Sequence, residues 1–412
     1  MKNKWYTKNN LINVSKTITV QRLPLLAFLC GIILLSCSQD SIFYDISIEP
    51  VPKVALIGGT PTNMAVVNGM VYVGTRMGNR IYYYNGARWA FMGTPGGALG
   101  ELATDGTYLY AIVFPNGEPT KSSIIKRYNF SESSWDADIS APGYSIQTLY
   151  CAGNGVFAGC QQNSDRYRFA IMSCDTDLSS STIYSDSTSL LTGAVEFNGA
   201  TYLATAGNGV LKYDGSAVSP IPENRTSGAI LKGIITTADT GGMVVAVGND
   251  SNGNGSIYYS TDGSSFEVLN TGNTFTGALG IWKKYNYDTA LPETWHNALL
   301  LLGTHGSGSS LTHGYREMVL NTDGTFYDNS IKYPGDGDPT SVTSRAKYEA
   351  ALGVNPVQAI LQVPDLGPDA DGKNYYPDMT LPENKDWVPM IFASTAQNGL
   401  WSYKNEQWNA ED

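Results

Sequence analysis

From about residue 60 onward the apolar positions fall into short runs set between Gly, Asn and Asp, and helical spacing is almost absent. The runs are VYVGT (71–75), LYAIV (109–113), VFAGC (156–160), TYLAT (201–205), MVVAV (243–247), LLLLG (299–303) and MIFAS (390–394). Stretches rich in β-branched and aromatic residues, bounded by turn residues, predict strands. Five of the runs follow a tight pair: Asn68-Gly69, Asp105-Gly106, Asn154-Gly155, Asn198-Gly199 and Gly241-Gly242. Asn-Gly and Asp-Gly favour type I′ hairpins, whose two central residues both need positive φ.

A second set of turns follows the runs. It comprises Tyr84-Asn85-Gly86 before Trp89, Tyr128-Asn129 before Trp135 and Tyr213-Asp214-Gly215 before Val218. Asp262-Gly263 before Phe266, Asp323-Gly324 before Phe326 and Tyr403 before Trp408 continue it. Four strands with hairpins between the first and second and between the third and fourth make a propeller blade. The expected fold is all-β, a seven-bladed β-propeller with units starting near 63, 100, 145, 190, 229, 275 and 340. Uneven spacing leaves six or eight blades open. PKVALIGG (52–59) reads as an extra outer strand, similar to RWAFMG (88–93), placed to close the ring against the C-terminal blade.

The N-terminus has a different pattern. Leu23 to Leu35 is one apolar run of 13 residues, short of the about 18 that read as a spanning helix. Lys2, Lys4, Lys8, Lys16 and Arg22 precede it without an acidic residue, as in a secretory leader. The run ends in Leu34-Leu35-Ser36-Cys37, which resembles the lipobox of bacterial lipoproteins. That resemblance implies cleavage before Cys37, lipid on Cys37 and anchorage at a bilayer, in a bacterial envelope and most simply its outer membrane. The organisation expected is a signal peptide over 1–36, a lipidated tether over 37–51 and the propeller over 52–412.

Losing five positive charges takes the net charge from −11 to −16. A domain so acidic is repelled by phosphate backbones, which argues against nucleic acid as a partner. Cleavage leaves Cys151, Cys160 and Cys174, an odd number, and small buried thiols are the plainer reading than a disulfide.

The Y-N-G-x-x-W cadence at 84–89 is similar to Kelch blades, without their paired glycines on the second strand. STDGSSF (260–266) resembles a degenerate Asp-box of sialidase-like propellers, one residue short of the usual spacing. Both resemblances imply fold and neither implies an activity.

Two long insertions, KKYNYDTALPETWHN (283–297) and 364–387, are expected in adjacent blades on the face of the strand 1–2 turns. They carry Tyr285, Tyr287, Trp295, Tyr375, Tyr376 and Trp387. Such rings suit binding of a protein, peptide or glycan, or else pack beneath their own loops. Asp250, Asn252 and Asn254 follow the order of a calcium loop, but Thr261 stands where its bidentate Glu is expected. Asp365, Asp369, Asp371 and Asp378 form a second acidic group that fits a solvated surface equally well. No other cofactor is expected. His305 and His313 flank one hairpin, with His296 at the far end of the strand, so a third metal ligand is missing.

No nucleophile elbow, phosphate loop or dinucleotide fingerprint occurs. Arg76, Arg80, Arg166, Arg168 and Arg316 fall near one face without a family motif around them. SVTSRAKYEAAL (341–352) is the one predicted helix, between the sixth and seventh units. Two functions remain in competition. One is a non-enzymatic binding or scaffold protein, and the other is a glycosidase- or sialidase-like enzyme with its site over the channel. The second requires carboxylates or arginines converging on the channel mouth.

Overall fold

The computed structural model describes residues 57–283, 298–305, 314–320, 326–328, 356–363 and 390–411, apart from 77, 87, 118–121, 175–178, 187–188, 222–225, 238–241, 250–253, 271–273, 397 and 405–406. Its strands pair into seven four-stranded antiparallel sheets, each built from four consecutive strands in chain order. Blade 1 is β1 (Pro61–Val67), β2 (Met70–Thr75), β3 (Arg80–Tyr84) and β4 (Trp89–Gly93). Blade 2 is β5 (Ala98–Thr104), β6 (Leu109–Phe114), β7 (Ile124–Asn129) and β8 (Ser134–Ser140). Blade 3 is β9 (Tyr144–Ala152), β10 (Gly155–Gln162), β11 (Asp165–Cys174) and β12 (Ser180–Asp186). Blade 4 is β13 (Leu191–Phe197), β14 (Ala200–Thr205), β15 (Gly209–Tyr213) and β16 (Val218–Pro220). Blade 5 is β17 (Ile230–Thr236), β18 (Val244–Asn249), β19 (Gly255–Ser260) and β20 (Glu267–Asn270). Blade 6 is β21 (Thr274–Lys283), β22 (Ala298–His305), β23 (Gly314–Leu320) and β24 (Phe326–Asp328). Blade 7 is β25 (Val357–Gln362), β26 (Ile391–Thr395), β27 (Leu400–Lys404) and β28 (Gln407–Ala410). The first strands of successive blades lie side by side, and β25 returns to β1, so the sheets form a closed propeller.

Six blades begin within two residues of the expected starts; the seventh begins at Val357 rather than near 340. The stretch 341–352, read as a helix, lies outside the described residues.

The continuous apolar runs are the second strands of the seven blades. A second strand is covered by a neighbouring blade on each face, so both sets of side chains are buried and the usual alternation is lost. In β6 every residue from Leu109 to Phe114 is buried, and in β26 every residue from Ile391 to Thr395. The glycine that ends several of these runs has a steric cause. A Cβ on Gly159 would meet Thr148 Oγ1 at 2.4 Å and Leu191 Cβ at 2.9 Å, both on the inner strands beside it.

The Tyr-to-Trp cadence is a cross-strand pair. Tyr84 faces Trp89, Tyr128 faces Trp135, and Tyr403 faces Trp408, with ring centroids 5.4, 5.3 and 5.4 Å apart. Such pairs contribute roughly 0.5–1.5 kcal/mol each beyond their buried area.

The tight turns divide by mechanism. Asn68-Gly69 and Asn198-Gly199 have positive φ at both residues, as a type I′ hairpin requires. The β9–β10 turn instead centres on Gly153-Asn154, because Ala152 pairs with Gly155; Gly153 alone has positive φ there. The Tyr-Asn-Gly turns are longer, with four residues between the paired ends. Asn85 Oδ1 accepts from Arg88 N at 3.0 Å, and Asp214 Oδ1 accepts from Ala217 N at 2.9 Å. A side chain standing in for a backbone acceptor explains Asn or Asp at that position.

Ring closure brings the N-terminal segment to the expected partner, the C-terminal blade. Blade 7 has its own fourth strand in β28, and residues 52–56 of the expected extra strand lie outside the described residues. The described part of that segment runs beside the start of β27, where Leu400 N donates to Ile57 O at 3.1 Å and Gly399 N to Gly59 O at 3.2 Å. Ile57 N in turn donates to Glu411 O at 3.4 Å.

Candidate functional site

The seven inner strands share a defect. Each shifts register against the second strand of its blade, near its own N-terminal half. A bulge bends a strand and re-aims the extra side chain. The bulges fall at Thr62-Asn63, Gly100-Glu101, Gln147, Thr192, Lys232, 276–278 and Gln358. All of these but Ala278 are polar residues or glycine within otherwise apolar strands, and most of them line the axial channel.

Several bulge residues hold blades together. Asn63 clamps blade 2 by taking a hydrogen bond from Leu102 N at 2.8 Å while its amide donates to Leu102 O. The Thr148 hydroxyl, next to the Gln147 bulge, donates to Leu191 O at 2.7 Å, joining blades 3 and 4. The Thr276 hydroxyl donates to Val357 O at 2.5 Å, joining blades 6 and 7.

Between them the inner strands enclose a cavity of about 420 Å3 on the channel axis. That is within the size range of small-molecule pockets, roughly 300–1,000 Å3. Its charged lining residues are Arg76, Glu101 and Lys232. Both oxygens of Glu101 are engaged: Oε1 accepts from Arg76 Nη2, and Oε2 accepts from Asn63 N at 3.3 Å. Lys232 is exposed to the cavity and has no ion-pair partner among the described residues. Tyr150 also lines it, and burial, with Glu101 nearby, pushes the phenol pKa up, so the hydroxyl keeps its proton.

The four arginines whose side chains are described do not converge. Arg76 alone lines the cavity, while Arg80 lies over the Phe91 ring at 6.0 Å and Arg166 over Tyr167 at 4.8 Å. Arg168 pairs with Asp165 at 3.6 Å, and the Arg316 side chain lies outside the described residues. No group of three or more metal-ligating side chains occurs among the described residues. The backbone of His305 ends β22, and His296 and His313 lie outside the described residues. Asn254 is exposed just before β19, whereas Asp250 and Asn252 are outside. The same holds for Cys37, Tyr285, Tyr287, Trp295, Tyr375, Tyr376 and Trp387. The insertions that carry those aromatic residues leave from the C-terminal ends of β21 and β25, in adjacent blades. The cavity is lined by Thr276–Leu279 of β21 and by Gln358–Leu361 of β25.

Cys151, Cys160 and Cys174 are free thiols. Cys151 and Cys160 are on neighbouring strands but oppose Val156 and Ile146, not each other. STDGSSF forms the β19–β20 turn, in which Asp262 accepts from Ser264 N at 2.8 Å and Ser265 N at 3.1 Å.

Apart from Arg76, named among the arginines near one face, sequence reasoning missed the cavity residues because nothing local marks them. The available signal was polar residues inside inner strands, such as Lys232 within Ile230–Thr236.

No protein-family profile and no curated protein matches the chain. Solved structures do match. A xyloglucanase of family GH74 from Xanthomonas campestris is 11% identical, with a TM-score of 0.52, over 88% of this chain and 55% of its own. A chain of the mitotic checkpoint complex is 11% identical, with a TM-score of 0.51, over 84% of this chain and 90% of its own. Sqt1 of Saccharomyces cerevisiae is 12% identical over 86% and 85%, with a TM-score of 0.46. Likeness at this identity bears on the propeller fold alone, and the chain spans about half of the xyloglucanase.

Proposed function

We propose that this chain is a bacterial lipoprotein whose propeller, tethered through lipid on Cys37 at the outer membrane, binds a protein, peptide or glycan without altering it. A propeller in a xyloglucanase and one in a checkpoint complex have the same architecture, so fold does not choose between catalysis and binding. The channel chemistry supports the choice. Glycoside cleavage uses two carboxyl groups, roughly 5–5.5 Å apart for retention or 6.5–9.5 Å for inversion. Among the described cavity residues there is one, Glu101, and its oxygens are occupied by Arg76 and by Asn63 N. Binding is assigned to the aromatic residues of the two insertions, Trp295 and Trp387 foremost, because aromatic rings supply contact area at low entropic cost.

The test uses the full chain in detergent. Retarded migration in gels containing xyloglucan, arabinan or a pectic polysaccharide, or capture by an envelope-protein array, is expected, with no release of reducing ends. Replacing Trp295 and Trp387 together by Ala should abolish that binding and leave the melting temperature unchanged. Release of reducing ends would overturn the reading in favour of an enzyme. A large fall in melting temperature with binding retained would make the two rings part of a core.

A further inference from the structure

The axial cavity has a chemistry of its own. Its charged groups are weighted toward donors, with Arg76 and Lys232 against Glu101. Glu101 is its one described carboxylate, and that group is spent on Arg76 and Asn63. Three groups on its wall retain donor capacity. Lys232 has no ion-pair partner among the described residues. The Arg76 guanidinium has five N–H groups, one of which serves Glu101, and its side chain is about half exposed. The Tyr150 hydroxyl stays protonated and lines the same space. Two cations against one anion leave the wall with net positive charge inside a chain of net charge −11. A concave positive surface with low-dielectric walls concentrates small anions.

The arrangement is also held in place. Lys232 occupies a bulge whose next residue, Gly233, packs against Gly277 of the following blade so closely that an added Cβ would approach the Gly277 carbonyl oxygen to 2.6 Å. Arg76 is oriented by Glu101, and Glu101 by Asn63, which in turn is clamped to Leu102. The donors come from blades 1, 3 and 5, so they face the axis from different sides.

We propose that this cavity binds the carboxylate of a small organic acid, with Lys232 as the principal contact and Arg76 and Tyr150 as supporting donors. A carboxylate matches the set because its two oxygens accept several hydrogen bonds and carry the charge that Lys232 leaves uncompensated. The inference does not depend on the aromatic insertions being a binding site.

The probes are D-glucuronate and succinate, with methyl glucoside and inorganic sulfate as comparisons, titrated calorimetrically into the full chain at low and raised salt. Binding of at least one carboxylate is expected, weakened by salt. The neutral glucoside should not bind, and sulfate should bind more weakly than the best carboxylate. Lys232→Met should weaken carboxylate binding by at least roughly tenfold, the loss of one charged hydrogen bond. Lys232→Arg should retain most of it. Both variants should melt with the wild type, because Lys232 is exposed and is not among the inter-blade clamps. Equal binding of the glucoside, binding of sulfate alone, binding unchanged in Lys232→Met, or no binding of either carboxylate would each overturn the proposal.

Discussion

Trp89 Nε1 donates to Glu411 Oε2 at 2.7 Å, a bond that spans 322 residues of chain and joins the outer strand of the first blade to the last described residue. Glu411 is only 5% exposed. Its backbone is held as well, since Glu411 N donates to Leu400 O at 3.0 Å. Beneath the bond, Tyr84, Trp89 and Phe392 form an aromatic cluster with centroids 5.0 to 5.4 Å apart, shared by blades 1 and 7. Among the described residues the ring is therefore closed by side chains and by residues 57–59.

Removing the carboxylate should show how much this closure contributes. Glu411→Ala leaves the indole N–H buried without that acceptor and is expected to cost about 1–3 kcal/mol. Glu411→Gln keeps an acceptor and should cost less. Urea unfolding of the three proteins under one set of conditions checks the order. Equal stability of Glu411→Ala and wild type would mean that the contact contributes nothing net.

Packing between blades 3 and 4 leaves no room at Gly159. A methyl group there would collide with Thr148 Oγ1 and Leu191 Cβ, two positions also joined by the Thr148–Leu191 hydrogen bond. Gly159→Ala should destabilise by roughly 1–3 kcal/mol, the usual cost of overpacking. Gly199→Ala is the control: nothing lies within 4 Å, so only its positive φ of 73° opposes the change. Thermal melts of both variants distinguish steric crowding from backbone strain.

The Asp turns should respond to acid. Hydrogen bonds from Ala217 N, then from the hydroxyl and N–H of Ser216, hold the Asp214 carboxyl down at about 2 against an ordinary 3.8. Donation from the Ser264 hydroxyl, with backbone N–H groups of Ser264 and Ser265, lowers Asp262 in the same direction. A depressed folded-state pKa stabilises the fold above the unfolded value and loses that contribution as the carboxylate is protonated. For Asp214 the loss runs from near 3.8 down through about 2. Carboxyl-selective NMR titration should find Asp214 still ionised at pH 3. The β15–β16 turn of Asp214→Asn should be insensitive to pH across that window.

The propeller thiols should be inert. Burial, followed by the nearby Cys174, pushes Cys160 up to about 12, and burial raises Cys151 in the same direction. A thiol reacts as its thiolate, so both should resist an aromatic disulfide reagent at pH 8 in the native protein and react promptly in guanidinium. Fast native labelling of Cys160 would contradict its complete burial.

Much of the architecture was legible before any coordinates, for a physical reason. A second strand sandwiched between blades must be apolar on both faces, so VYVGT, LYAIV and VFAGC announce themselves as unbroken runs. Turns that need positive φ or an Asx acceptor draw on few residue types, so Asn68-Gly69 and Tyr84-Asn85-Gly86 mark blade edges. The local chain therefore announced the blade pattern and most blade boundaries, while leaving the count between six and eight. It also carries the lipobox-like Leu34-Leu35-Ser36-Cys37, whose role stays with the proposal. What it could not express is where blades meet. Arg76, Glu101, Tyr150 and Lys232 are separated by tens of residues and share no motif. They face one cavity only because the inner strands bulge at a common level and the ring closes through Glu411. A bulge depends on register between strands, and closure depends on contacts between the chain's two ends. Neither is written in local spacing, so tertiary packing alone decided the axial site.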